Sequence, residues 1–370
     1  MSHQYLITSD IATWTLRGQQ VILRADLNVP VDHDQILDTF RLEALLPTLE
    51  LLCTKDATIH LITHYDQSLN SPITDLLTRW FAYAGYRSPR LHIHENLRLS
   101  PKEKCKDHLF AQTLARGMQW YIDDAFGTLH RSDTSLTILP RYFPQNHRSI
   151  GLLVERELAH LVPLITSPQR PYGLLLGGGK IATKLPYIIR LLSHVDYVFI
   201  CPNIASLFIP SQSDRFPQDL IDLANSMLSH QYATKLFLPT DYLVSTAQHT
   251  YQYKSISEIT QDDTVIAIGP DTVSAWLPYL SSLATIVCNG PMGFAAEPIT
   301  RSTLQQLLDH INSNIPHIII GGGDMTLAVH TLIREPRIEW HSTGGGSLLA
   351  LLSGSPLPAL DALSQPEIEE

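Results

Sequence analysis

The chain has 370 residues, with 26 Lys and Arg against 36 Asp and Glu and a formal net charge of −10. That balance excludes a molecule built to lie along nucleic acid or an anionic membrane, while leaving room for a local cationic pocket. No apolar run is long enough to span a bilayer, and the opening MSHQYLITSD lacks the basic and apolar parts of a signal peptide, so a cytoplasmic protein is expected.

Aliphatic runs that read as strands follow one another at 21–25, 58–63, 91–94, 119–122, 172–176, 197–200, 235–238, 265–268, 284–288 and 317–320. Amphipathic stretches lie between them. Leu42, Leu45, Leu46, Leu49 and Leu52 share one helical face, and Leu220, Leu223, Ala224 and Met227 share another. Alternation of this kind predicts parallel sheets covered by helices on both faces. So many strands exceed one small sheet, and the length suits two cores. The expected fold class is therefore α/β, with two doubly wound parallel-sheet domains joined by a helix. The segment ERELAHLVPLITS, at 155–167, reads as that one helix, ahead of Pro168 and Pro171. The expected division is 1–154, a linking helix at 155–168, and 169–354, followed by a proline-interrupted tail at 355–370.

In the first half, strand ends deliver basic and amide groups. Asp26 and Asn28 follow the first strand on one side of the chain. Arg41 opens the next helix beside the expected cap Asp38. His64, Arg98 and Arg131 follow later strands. Each arginine alone reads as a surface ion pair, but strand carboxyl ends converge on one sheet edge, so together they suggest a pocket for a small polyanion. His92 and His94 face one side of their strand. Without a third ligand nearby in sequence they read as surface or packing groups. The cysteines at 53, 105, 201 and 288 show neither metal nor redox spacing and read as free thiols.

The second half holds three glycine triplets, Gly177-Gly178-Gly179, Gly321-Gly322-Gly323 and Gly344-Gly345-Gly346. A strand turning through glycine into a helix aims backbone N–H groups and a helix dipole at one spot, an anion cradle. Any one of them alone reads better as a tight turn or close packing; three in one α/β region suggest a polyphosphate. Lys180 and Lys184, four apart after the first triplet, are expected on one helix face, either reaching toward bound phosphates or standing as two solvated helix lysines. The spacing is neither that of a P-loop nor of a dinucleotide fingerprint. Asp324, after the second triplet, reads as a helix cap or as a carboxylate for magnesium. Asn289 ends a strand where ligands of parallel sheets are met.

The segments RADLNVP, DTFRLEALLPTL, HENLR, DDAFGTLHRSD, LLLGGGKIATK, LPTD, IGPDT, CNGPMG, IIIGGGDMTLAV and STGGGSLLALL, in this order, resemble the phosphoglycerate kinase family over nearly the whole chain. The resemblance implies reversible phosphoryl transfer between 1,3-bisphosphoglycerate and ADP, giving 3-phosphoglycerate and ATP. It implies an N-terminal domain that holds the phosphoglycerate through Asp26, Asn28, Arg41, His64, Gln67, Arg98 and Arg131. It implies a C-terminal domain that holds Mg-ATP or Mg-ADP through Gly178, Gly179, Lys180, Lys184, Asn203, Asn289, Glu297, Gly322, Gly323, Asp324, Met325, Gly344, Gly345 and Gly346, with magnesium on Asp324. Arg41, Lys184 and Gly345 would flank the phosphoryl group in flight. The tail would return to the first domain, and the protein would be a monomer.

The chain departs from the family at identifiable points. Thr63-His64-Tyr65-Asp66-Gln67-Ser68 stands where the family has Ser-His-Leu-Gly-Arg-Pro, so Gln67 replaces a substrate arginine and Asp66 adds a carboxylate. Asp133 replaces a histidine. Cys201-Pro202-Asn203 and Cys288 alter the adenosine side, where Ala296 is in register with the family's ribose-binding glutamate and Glu297 falls one residue late. Met325 replaces a threonine. These changes motivate an alternative reading, a family member that binds a ligand or partner with weak or no turnover.

Overall fold

The computed structural model describes residues 10–66, 72–229, 231–293 and 298–368. Two compact units pack internally, one running to Val162 and resuming at Pro356, the other spanning Pro163–Ser355.

The first unit is built on strands β1 (Gln20–Ala25), β4 (Thr58–Ile62), β5 (Leu91–Ile93), β6 (Trp120–Asp124) and β7 (Arg148–Ile150), with a small hairpin of β2 (Val31–Asp32) and β3 (Gln35–Ile36). The five-stranded sheet has the order β5-β4-β1-β6-β7 and every pairing in it is parallel. β1 is central and almost wholly buried, which is why QVILRA is a continuous apolar run rather than an alternating one. The order reverses beside β1, since β4 pairs on one side and β6 on the other. Helices α1 (Phe40–Thr54), α2 (Ile73–Tyr83), α3 (His108–Ala115), α4 (Thr134–Thr137) and α5 (Leu152–Leu161) accompany the sheet. α1 buries Leu42, Leu45, Leu49 and Leu52, as its periodicity predicts, in one core with Val21, Leu23 and Ile122. The N-cap of α1 is Thr39 rather than the expected Asp38, whose Oδ1 accepts from the Phe40 N–H at 2.8 Å just ahead of the helix.

The expected single helix at 155–167 is two. α5 ends at Leu161 and α6 covers Pro163–Thr166. Pro163 has no N–H to continue the ladder, so the helix breaks there.

The second unit carries a six-stranded parallel sheet of β8 (Tyr172–Leu176), β9 (Tyr197–Ile200), β10 (Leu236–Phe237), β14 (Thr285–Asn289), β15 (His317–Gly321) and β16 (Trp340–Ser342), in the order β10-β9-β8-β14-β15-β16. Here the winding reverses between β8 and β14. Helices α7 (Ile181–Leu191), α8 (Pro202–Ala205), α9 (Gln218–Ser229), α10 (Pro270–Leu280), α11 (Arg301–Asn314), α12 (Gly323–Leu332) and α13 (Gly346–Leu352) complete it. The run at 265–268, expected in a parallel sheet, instead lies in a separate antiparallel sheet. That sheet is formed by β11 (Asp241–Ser245), β12 (Tyr251–Ser255) and β13 (Thr264–Ile268), with β11 in the middle. A turn at 246–250 lets β12 fold straight back on β11, which fixes the antiparallel sense.

The last helix, α14 (Pro358–Ser364), belongs to the first unit. It buries Ala359, Leu360 and Ala362, and the Ala359 N–H donates to the Leu129 carbonyl at 3.2 Å.

Candidate functional site

In the first unit, the loops after β1, β4, β5 and β6 all leave the carboxyl edge of the sheet, around the point where its winding reverses. They bring Asp26, Asn28, His64, Arg98 and Arg131 together with Arg41 from the start of α1. Arg41 Nη1 donates to the Asn28 carbonyl at 2.8 Å and lies 3.4 Å from the Asp26 carboxylate. Arg131 Nη1 donates to His64 Nε2 at 2.9 Å. On the opposite ring nitrogen, Nδ1, stands Arg24 Nη2 at 3.3 Å. A neutral imidazole accepts at one nitrogen only. We assign Nε2 as the acceptor from the shorter contact, which leaves the proton on Nδ1, the nitrogen 4.0 Å from Asp26 Oδ1.

Burial, reinforced by Arg24 and Arg131 and only partly countered by Asp26 and Asp66, pushes His64 down to about 3, so the ring is uncharged at neutral pH. Burial works against ionised Asp26 too. The guanidinium groups of Arg41, Arg24 and Arg131 outweigh it and hold the carboxyl below its ordinary value. Arg24 was missed as a site residue, although it precedes Asp26 directly. Its side chain is fully buried and is fixed by Ser135 Oγ, 2.9 Å from Nε, and by the Ala25 carbonyl. Asn96 was missed as well. Its Oδ1 accepts from the backbone of Tyr65 and of Arg98, at 2.8 and 3.0 Å, and so ties the β4 and β5 loops together.

Beneath this bed lie two buried carboxyls, Asp123 and Asp124, at the end of β6. Burial raises Asp123 to about 6 and Asp124 to about 7. Asp124 Oδ1 accepts from the Val154 N–H at 3.0 Å in the first turn of α5. Gly151 leaves room for it, since a Cβ there would lie 2.2 Å from Asp124 Cγ.

In the second unit the three glycine turns converge. The first follows β8, the second follows β15 and the third follows β16, while Asn289 ends β14 between them. The Gly177 N–H donates to the Asn289 carbonyl at 2.9 Å. Lys184 Nζ donates to the Gly177 carbonyl at 2.5 Å and to Asn289 Oδ1 at 3.2 Å. Asn289 Nδ2 donates to the Gly345 carbonyl at 3.1 Å. A Cβ on Gly177 would lie 2.0 Å from the Pro291 carbonyl oxygen, whereas Cβ atoms on Gly179 or Gly323 would meet nothing within 4 Å. Glycine is therefore needed for close packing at Gly177, while Gly179 and Gly323 present open backbone. Gly178 and Gly322 have φ of 84° and 93°, which side chains rarely adopt.

The remaining expected residues fall unevenly around this bed. Lys180 does not share a helical face with Lys184. It is the N-cap of α7, left-handed at φ 56°, because the glycine turn must reverse before the helix starts. Met325 lies in the apolar core, 1% exposed, beside Cys288 and Val329, so its side chain is a packing group. Asn203 is the second residue of α8 and half-buried. Gly344 is buried, with its N–H held by Ser342 Oγ at 3.2 Å, and Gly346 opens α13. Asp324 is the second residue of α12. Gln67, Ala296 and Glu297 lie outside the described residues. Among the described residues no cluster of three His, Cys, Asp or Glu could hold a metal.

His92 and His94 do gain a neighbour, His60 of β4, whose Nδ1 lies 2.8 Å from His94 Nε2. Parallel pairing of β4 with β5 brings these rings together. Burial, with His94 and His92 alongside, pushes His60 down to about 4.

A family model described as phosphoglycerate kinase matches residues 11–78 and 82–355. The phosphoglycerate kinase of Roseiflexus castenholzii is 30% identical over 94% of this chain and 96% of its own. That of Desulfosudis oleivorans is 31% identical over 96% and 98%. Among solved structures, the phosphoglycerate kinase of Pyrococcus horikoshii superposes with a TM-score of 0.79 at 23% identity, covering 96% of this chain and 98% of the other. That of Coxiella burnetii does so with a TM-score of 0.75 at 24% identity, covering 97% and 99%. No helix among the described residues is long and apolar enough to cross a membrane.

Proposed function

The chain belongs to the phosphoglycerate kinase family, and we propose that its arginine bed holds 3-phosphoglycerate while its glycine bed holds the nucleotide phosphates. The reaction is reversible phosphoryl transfer between 1,3-bisphosphoglycerate and ADP, a step of glycolysis. The observation that carries the assignment of residues is that Asn289 hydrogen-bonds to Lys184 and to the first and third glycine turns and pairs in register with Gly321 of the second.

The attacking and leaving atoms are both anionic oxygens, so no general base is required. The obstacles are charge repulsion and alignment, and catalysis rests on positioning and neutralisation. Arg41, His64, Arg98 and Arg131 seat the acid substrate in this reading, with Asp26 and Asn28 orienting Arg41. His64, being neutral, serves as a hydrogen-bonding group. Lys184 and the open N–H groups of Gly179, Gly323 and Gly345 surround the phosphates. A well-placed cation is worth about 10³ to 10⁵ in rate, on the order of 4–7 kcal/mol. Magnesium, when bound with the nucleotide, supplies further charge neutralisation between phosphate oxygens, and Asp324 is the carboxylate proposed to hold it. Acyl phosphates hydrolyse, so we propose that the segment 155–168 lets the two ligands be brought together away from water. A cytoplasmic monomer is proposed on the same family ground.

The test is a coupled turnover assay together with titration of Mg-ADP and Mg-GDP. Saturable nucleotide binding with turnover is expected. Nucleotide binding without turnover would favour the reading as a ligand-binding family member.

A further inference from the structure

Asp66 lies over the arginine bed, near several donors and close to none. Its carboxylate is 3.4 Å from Asn28 Nδ2, 3.7 Å from Arg98 Nε and 3.8 Å from Arg131 Nη1. It also lies 3.6 Å from His64 Nε2, the nitrogen already engaged by Arg131. The backbone, rather than these contacts, holds it there. The Asp66 N–H donates to Asn28 Oδ1 at 3.3 Å, and the preceding Tyr65 is clamped on both its N–H and its carbonyl by Asn96.

Asp133 provides the contrast. It meets Arg98 Nη2 at 2.8 Å with a side chain only 10% exposed, whereas the Asp66 side chain is 40% exposed. A short, buried pair persists, and a loose, exposed one exchanges readily with solvent or a competing anion. Arg98 Nε has no hydrogen-bond partner although it is buried, so the bed holds a donor aimed at Asp66 that a nearer oxygen would satisfy.

Charge points the same way. The three guanidinium groups of Arg41, Arg98 and Arg131 pair with the three carboxylates of Asp26, Asp66 and Asp133, leaving no net charge among them. A phosphoglycerate brings a carboxylate and a phosphate, about two and a half to three negative charges near neutral pH. Moving Asp66 off the bed removes one of the opposing charges.

We propose that Asp66 is an internal anion that occupies the substrate's place on Arg98 and Arg131 in the free enzyme and swings out when the acid substrate is seated. This rests on the reading of the bed as the phosphoglycerate site. Asp66 thereby sets the affinity for that substrate and leaves the nucleotide bed untouched.

The test is direct titration of 3-phosphoglycerate into the wild-type chain and the Asp66→Asn and Asp66→Glu variants, with thermal unfolding as a check on folding. Asn is expected to tighten binding about tenfold, the size of two exposed ion pairs, while Glu stays within about twofold of wild type and Mg-ADP affinity is the same in all three. Equal or weaker binding by Asn overturns the proposal, because it makes Asp66 neutral or helpful to the ligand. A coupled assay on the wild-type chain separates the two claims. Binding of the acid without turnover would sink the kinase reading and leave the Asp66 comparison standing.

Discussion

Lys184 Nζ donates to Asn289 Oδ1 at 3.2 Å, and the amide of the same asparagine reaches the Gly345 carbonyl. Lys184 also donates directly to the Gly177 carbonyl, so one lysine is tied to two glycine turns, the first directly and the third through Asn289. Removing the ammonium with Lys184→Ala is expected to cut kcat at least about 10³-fold, on the order of 4 kcal/mol of lost transition-state neutralisation. Mg-ADP affinity should fall by less. A variant that turns over within tenfold of wild type would mean the lysine only braces the turn.

Arg41 belongs to the other bed, where it bridges Asn28 and Asp26. Arg41→Ala should abolish turnover while calorimetry finds Mg-ADP binding unchanged within about twofold. Loss of both together would contradict the division of labour between the units.

Glycine has two different reasons to be present, and they separate by experiment. At Gly177 a methyl group would strike the Pro291 carbonyl, so Gly177→Ala should lower the melting temperature markedly. At Gly323 nothing stands within 4 Å. Gly323→Ala should therefore keep the melting temperature or raise it slightly, yet weaken nucleotide binding about tenfold by narrowing the cradle. Unaltered nucleotide affinity in Gly323→Ala would show that phosphates do not approach that turn.

Asp124 gives a pH signature. Its unfolded value is near 3.8 and its folded value about 7, so between those pH values the folded chain keeps a proton that the unfolded chain has lost. Its effect on stability is most favourable below about pH 4, declines as pH rises to about 7 and is flat above, with a slope of up to about 1.4 kcal/mol per unit. Asp124→Asn removes that slope. The melting temperature of the variant relative to wild type should rise between pH 5 and pH 8. A difference independent of pH would mean the buried carboxyl stays ionised throughout.

Both sheets were legible in the sequence because central parallel strands are buried on both faces and read as unbroken aliphatic runs, as at β1, β8 and β15. Two of the short edge strands, β7 and β16, have no such run. β7 is Arg148–Ile150 and β16 is Trp340–Ser342, and each is set by its neighbour rather than by its own composition. β12 is largely exposed, so YQYKS carries no apolar signature. Within the site, Asp26, Asn28, His64, Arg98 and Arg131 were readable from their places after strands. Arg24 and Asn96 were not, because their importance comes from partners forty and thirty-one residues away. Lys180 misled because a four-residue spacing means a shared face only inside a helix, and the turn ends at that residue. Met325 was expected at the nucleotide only from the family resemblance, and α12 turns it inward to Cys288 and Val329.

The segment from Pro356 has a consequence for biosynthesis. Leu357, Ala359 and Leu360 fill the first unit, and the Arg148 guanidinium there is met by the Gln365 carbonyl. On the ribosome, domains form in the order in which they emerge. The amino-terminal half must therefore wait, with its apolar seat for α14 uncovered, until the whole second unit and the segment from Pro356 have been translated. A nascent chain stalled before Pro356 is the form of this protein on which a chaperone would find an exposed greasy patch.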